Sequence, residues 1–297
     1  MSVYRQIFQC LDMPMLVLCE KGREIKIEDA NAAFMRLTGY TLAELQARRV
    51  RDLLHAHKID ANRQVLKSEV HLRTKLTREL PVRIDQQPLP PGEEGGPNRA
   101  LILFEDLSSY KWIERQFELK KVLISGIVDN HHHVRFLRDS VAPLLFEPDR
   151  TLEDDTLMKF IADKEQDKLK GVLREAYATK KERSLTLLTS KLSGAELELS
   201  VTFAPILDGC GEVKEFAFVI WDLKAVNDKI SSAMKLKIWM AKRDVTAGHL
   251  SASTGISIQT ISKLRNGKIE KPQRLTAELI ASELQVDLYE IWPEIRK

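Results

Sequence analysis

Long apolar runs are missing from this 297-residue sequence, and so is any overall excess of one charge, since 46 Lys and Arg face 43 Asp and Glu. The apolar stretch near the start, "MPMLVLC", is far too short to cross a bilayer. It also lacks the basic segment and small-residue cleavage site of a secretory leader, so no membrane partner is expected. Cysteine is scarce: Cys10, Cys19 and Cys210 form no CxxC pair and no metal-ligand spacing. Free thiols of this kind suit a reducing compartment, and a cytoplasmic protein is expected. No P-loop, HExxH, Ser/His/Asp order or pair of catalytic carboxylates can be read. The chain is therefore not expected to be an enzyme, and no catalytic residue and no metal ligand is assigned.

The hydrophobic content of 43% is that of a globular chain, and 297 residues are too many for one ordinary core. Near-neutrality hides an asymmetry. Residues 234–297 hold 11 Lys and Arg against 7 Asp and Glu, whereas the rest of the chain holds 35 against 36. A basic excess confined to the tail is what a polyanion-binding segment requires.

Before residue 230 one unit is written twice. The first copy opens with "MLVLCEKGREIKIE", a hairpin around a turn. In "DANAAFMRLTGYTLAEL", Asp29 or Asn31 can cap a short helix that Gly39 ends, and Thr41 with Glu44 has capping-box spacing. Alternation follows, with Val70, Leu72, Thr74 and Leu76 on one face and Leu80, Val82 and Ile84 on the next. The Pro/Gly-rich "PLPPGEEGGPN" leads to a buried strand, "RALILFEDL". The second copy repeats this order: a hairpin in "GIVDNHHHVRFLRDS", a short capped helix in "DSVAPLLF", and an amphipathic helix through Leu169, Val172, Leu173 and Ala176. Alternating Leu197, Leu199, Val201 and Phe203 come next, then the closing "KEFAFVIWDL". Asp106 and Asp222 end the two copies, so the period is that of a duplicated domain. Both aspartates are expected to cap or break the helices that follow.

The pattern is α+β, a curved antiparallel sheet with helices on one face. On "DANAAFMRLTGYTLAEL", the "DLLH" after it and the terminal "EDL" and "WDL", it resembles the PAS sensor family over residues 5–108 and 122–223. The second copy lacks the "NAAF" signature. Sensing or dimerising modules are what the resemblance implies. No cofactor is expected: a small molecule or haem in a PAS core is left open, with no residue to support it. His55 and His57 follow "DLL", where such sequences commonly carry a His, but they give haem little support. His131, His132 and His133 alternate in direction along an extended chain and do not converge on a metal. "NAAFM" stands where flavin-binding members need a reactive cysteine. The phosphoacceptor and ATP boxes of a sensor kinase are lacking.

Helical segments follow each copy. Ile113, Phe117, Lys120 and Leu123, then Leu223, Val226, Ile230 and Ala233, lie near heptad spacing. Packing on their own domain and a parallel dimer seam remain equal alternatives. The expected boundaries are residues 1–108, a linker helix over 109–122, residues 123–223, a second linker helix over 224–233, and a tail over 234–297.

In the tail Leu236 and Trp239 open an amphipathic helix. Thr246 can cap a second one that Gly255 ends. Ser257 can cap a third, "IQTISKLRNG", with Ile261 and Leu264 inward and Asn266-Gly267 as its stop. Ile258, Gln259, Ser262, Lys263 and Asn266 are left outward. Two short helices joined by a tight glycine turn make a helix-turn-helix. "GISIQTISKL", "NGKIEKP", "RLTAELIASEL" and "VDLYEIW" resemble the phage repressor/Cro (Xre-type) family of bacterial regulators over residues 234–292.

That resemblance implies a five-helix domain whose third helix enters the major groove of double-stranded DNA. Gln259 suits adenine, Lys263 suits guanine, and Ile258 suits a thymine methyl. Lys268 and Lys271, with backbone amides around Asn266 and Gly267, would steady phosphates. Ser257, Thr260, Ser262 and Arg265 complete the expected DNA-binding set. Ala247 stands where the family often has a phosphate-anchoring Gln, and Arg265 where it often has Glu. The expected protein is a sequence-specific transcriptional regulator, a homodimer whose PAS-like modules answer a small-molecule or protein effector. The alternative is an adaptor whose tail docks on another regulator without touching DNA.

Overall fold

The computed structural model describes all residues except 1, 23, 56–58, 91–95, 140–155, 191–195, 227–229 and 296–297. Contacts divide it into two compact units, residues 1–114 with the 206–214 turn, and residues 115–205 with 215–297.

The N-terminal unit begins with α1 (Val3–Cys10), followed by the hairpin β1 (Met15–Lys21) and β2 (Glu24–Ala30). Three short helices come next, α2 (Ala32–Thr38), α3 (Leu42–Gln46) and α4 (Val50–Leu53). Asn31, not Asp29, caps α2. Its Oδ1 accepts the Phe34 amide at 2.9 Å, while its Nδ2 donates to the carbonyls of Leu11 and Met13. Thr41 and Glu44 form the full capping box on α3. Strands β3 (Leu54–His55), β4 (Val65–Arg73), β5 (Glu79–Pro88) and β6 (Arg99–Asp106) complete an antiparallel sheet ordered β2-β1-β6-β5-β4-β3. Leu16, Phe34, Leu72, Ile84 and Phe104 fill its core, with the rings of Phe34 and Phe104 4.7 Å apart. Leu80, Val82 and Ile84 face inward as their alternation predicts, but Leu76 is 52% exposed. The chain turns between Thr74 and Arg78, whose backbone groups bond at 2.9 Å, so alternation stops before Leu76.

Gly39 requires its glycine twice. It ends α2 with φ +77, and a Cβ there would meet the Gly209 carbonyl oxygen of the 206–214 turn at 2.6 Å.

Helix α5 (Ser108–Leu119) is set off by Asp106, which accepts the Ser108 amide at 2.9 Å. Trp112 and Ile113 on it are buried and Phe117 is 37% exposed. The C-terminal unit then builds β7 (Ile124–Asp129), β8 (Val134–Asp139), a 3-10 turn (Leu157–Phe160), α6 (Asp163–Thr179), β9 (Arg183–Leu188), β10 (Leu197–Leu207) and β11 (Val213–Ala225). The order β8-β7-β11-β10-β9 repeats that of the first sheet without its edge strand, which is the duplication expected from the sequence. Leu169, Leu173 and Ala176 of α6 are buried, as are Leu197, Leu199, Val201 and Phe203 of β10. The helix expected in "DSVAPLLF" lies outside the described residues.

The linker helix expected over 224–233 is not formed among the described residues. Lys224 and Ala225 extend β11, Val226 and Ile230 lie in bends, and the next helix starts only at Ser232. Leu223, assigned to that helical stripe, is 1% exposed within the strand. Asp222 likewise sits in β11 and caps no helix; it stands 3.2 Å from Lys242. Leu123 is also buried in its own unit, where its amide bonds the Ile220 carbonyl at 2.8 Å. Of the eight positions in the two heptad stripes, Ile113, Leu123 and Leu223 are buried within their own units, whereas Phe117 and Val226 stay exposed.

Five helices end the chain: α7 (Ser232–Arg243), α8 (Ala247–Thr254), α9 (Ile258–Arg265), α10 (Arg274–Glu283) and α11 (Leu288–Ile291). Leu236, Met240, Leu250, Ile261, Leu264 and Ile280 meet in one core.

Candidate nucleic-acid interface

The geometry of α9 follows from local chemistry at both ends. Thr246 caps α8 through the His249 amide, Gly255 ends α8 with φ +72, and Ser257 caps α9 through the Thr260 amide at 3.2 Å. Between the two helices lie only three residues, so burial of Leu250, Ile261 and Leu264 fixes their crossing. Ile261 and Leu264 point into the core. The opposite face of α9 holds Ile258, Gln259, Ser262, Lys263 and Asn266, which line one open groove together with Lys268. Ile258 is 55% exposed although apolar, with no packing role inside the domain.

The remaining predicted residues sit elsewhere. Ser257 and Thr260 face each other, with their hydroxyl oxygens 2.9 Å apart, so both serve the cap. Arg265 is half-buried on the flank of α9. Lys237 on α7 feels it: burial, and then the Arg265 charge, hold the Lys237 amine below its ordinary range. Lys271 is exposed and paired with Glu294 at 2.9 Å, which holds its amine above the usual lysine value. A phosphate approaching Lys271 meets the Glu294 carboxylate beside it.

One expectation is corrected. The amides around Asn266 and Gly267 are engaged in closing the helix: Asn266 donates to the Ser262 carbonyl at 3.0 Å, Gly267 to Leu264 at 3.2 Å, and Lys268 to Lys263 at 2.9 Å. Gly267 adopts φ +69 to make this closure. A helix end needs these bonds for its own last carbonyls, and sequence spacing alone does not show which need wins.

Sequences matching known families cover both ends of the chain. Residues 2–70 match the PAS domain family and residues 235–292 match the Cro/C1-type HTH DNA-binding domain family. The chain carries a PAS domain at its N-terminus and a Cro/C1-type helix-turn-helix domain at its C-terminus. A PAS sensor domain together with a Cro/C1-type DNA-binding domain supports a DNA-binding regulator with a signal-sensing module, and both domains are of non-enzymatic types.

Among solved structures, an RNA-binding light-oxygen-voltage receptor is 18% identical over 39% of this chain, with a TM-score of 0.33. This chain spans 36% of that receptor's length. The PAS domain of an HTR-like protein from Haloarcula marismortui is 17% identical, with a TM-score of 0.29, over 35% of this chain and 88% of that domain. The PAS domain of nitrogen regulation protein NR(II) from Vibrio parahaemolyticus is 16% identical over 36% of this chain and 99% of that domain, with a TM-score of 0.29. Such slight likenesses carry no functional inference. No curated protein sequence matches the chain.

Asp129 accepts the amides of His131 and His133 at 2.9 Å each, which bends the chain so that His132 adopts φ +67. Among the described residues no group of three His, Cys, Asp or Glu is placed to hold a metal ion. The side chains of His55 and His57 lie outside the described residues. Inside the second sheet's core is a small void of about 30 Å³ that, among the described residues, is lined by apolar side chains, Phe160, Phe203 and Phe218 among them. No helix among the described residues is long and apolar enough to cross a membrane.

Proposed function

We propose that this chain is a sequence-specific transcriptional regulator that reads double-stranded DNA with α9, acts as a homodimer, and takes its signal through the modules ahead of the tail. The observation that carries the reading is the outward set on α9. An amide, an ammonium group and an uncovered isoleucine share one face of a helix whose other face is fully buried.

A major groove about 12 Å wide admits a helix. There Gln259 can form a bidentate contact with adenine, and Lys263 can donate to guanine O6 and N7. Ile258 can pack on a thymine methyl, while Lys268 and Arg265 reach towards the flanking phosphates. The closed backbone at 266–268 moves phosphate binding onto side chains. One 60-residue head makes few contacts, so two heads on half-sites about 34 Å apart give the affinity that one cannot. A ligand or protein effector then acts by favouring one arrangement of the two heads over another.

A gel shift with mixed genomic duplexes at two salt concentrations tests the reading. The regulator should bind at low salt and lose roughly 10³-fold or more in affinity from 50 to 200 mM, as several phosphate contacts require. A chain that docks on another regulator and leaves DNA alone would shift no duplex at either concentration.

A further inference from the structure

Helix α7 has two working faces. Leu236 and Met240 go into the core of the five helices. Another face carries Lys235, Ile238, Trp239 and Lys242, whose i, i+3, i+4 and i+7 spacing stacks them along one side. Within the C-terminal unit, that side and the end of β11 at Leu223, Lys224 and Ala225 enclose an open cavity of about 190 Å³. This is the liquid volume of about six waters, room for one ring and a small polar group. The cavity shares no lining residue with the void in the second sheet's core.

The chemistry of the walls selects the ligand. Leu223, Ile238 and the half-buried Trp239 give a flat apolar body a surface to lie on. Three ammonium groups, those of Lys224, Lys235 and Lys242, line it against one carboxylate, that of Glu290. Among the described residues the ion pairs of these lysines all go to Asp222, which stands 3.2 Å from Lys242 and 3.5 Å from Lys224. One carboxylate shared by two ammonium groups leaves positive charge over for an incoming anion. A nucleotide needs a cavity of roughly 300 Å³ or more. Inorganic phosphate fits but leaves the apolar wall unused. A small organic acid with one ring uses both kinds of wall.

Lys242 is also where α7 is fastened to the strands. Its ammonium pairs with Asp222 on β11, and its carbonyl accepts a hydrogen bond from Lys121 Nζ, just ahead of β7. A carboxylate entering the cavity therefore meets Lys242 as a rival to Asp222.

We infer that this cavity binds a small one-ring organic anion, a benzoate-like acid, which competes with Asp222 for Lys242. The inference names an effector class for the DNA reading and rests on that reading only for its purpose; binding itself is measured without DNA.

Titration calorimetry of the full chain with benzoate tests it. The parent should take up benzoate at roughly millimolar concentration, as suits so small a ligand. Benzamide keeps the ring without the charge and acetate keeps the charge without the ring, so each should bind at least ten-fold more weakly. Lys235→Met keeps the apolar stem of a half-buried side chain, so it should melt with the parent and weaken benzoate binding about five-fold or more. Asp222→Asn removes the competing charge but keeps the oxygen that accepts the Leu223 amide at 2.9 Å. It should bind benzoate several-fold more tightly, a gain that a merely structural aspartate would not give. A parent that takes up no benzoate up to about 20 mM overturns the inference, as does benzamide binding as tightly as benzoate. So does a Lys235→Met variant with the parent's affinity, or an Asp222→Asn variant that melts with the parent and binds no tighter. If benzoate binds as stated but the parent shifts no duplex, the site stands and the DNA reading falls. If the parent shifts duplex and takes up no benzoate, the reverse holds.

Discussion

Ser257 and Thr260 are locked together at the start of α9: the Thr260 amide donates to Ser257 Oγ at 3.2 Å, and the two hydroxyl oxygens lie 2.9 Å apart. Ser257→Ala should therefore cost about 1 kcal/mol of domain stability. Thermal melting of the isolated change, with duplex binding measured well below the melting temperature, checks it. Stability falls while base preference stays, because neither hydroxyl faces the groove.

Gly39→Ala meets two obstacles at once, a left-handed backbone and the Gly209 carbonyl at 2.6 Å. The backbone term alone is about 1–2 kcal/mol, and the contact adds to it. Chemical denaturation should show a loss above that figure, whereas Gly22→Ala, with φ +66 but nothing within 4 Å, should show the backbone term alone.

Glu44 is held at a pKa of about 2, down from 4.5, first by the hydrogen bond from Lys75 Nζ at 2.6 Å and then by the Thr41 amide. A depressed carboxylate stabilises the fold above its unfolded value and loses that contribution as pH falls from about 4.5 towards 2. Glu44→Gln should thus be less stable than the parent at neutral pH, and the gap should close as acid is added. A gap that stays constant with pH would contradict this assignment.

Lys271 is expected to meet a phosphate, yet Glu294 already holds it. Lys271→Ala should weaken binding to all duplexes alike and lower the salt slope by about 1. Glu294→Ala should tighten binding to all of them, because the ammonium is released before DNA arrives. Fluorescence anisotropy across a salt series measures both.

What the sequence showed well was chemistry that acts within one turn of chain. Asn31, Thr41, Thr246 and Ser257 cap the helices that their spacing indicates. The duplicated strand order was legible too, since alternation at Leu197 to Phe203 reports burial directly. Failures came where distant needs compete. Leu223 satisfies a heptad on paper but is worth more as a buried strand residue. The amides at Asn266 and Gly267 are spent on their own helix. On α9, the outwardness of Gln259 and Lys263 was legible because it follows from Ile261 and Leu264 being inward. The tie between Lys271 and Glu294 was not, since 22 intervening residues must fold first.

The most direct test of α9 as a reading helix is selection of bound duplexes from a random pool by the parent and by Gln259→Ala. The parent should enrich one paired motif. The variant should enrich the same motif with its preference relaxed at one base pair per half-site, a loss of roughly 1–3 kcal/mol of discrimination there. Identical motifs from both proteins, or no motif from the parent, would contradict the account.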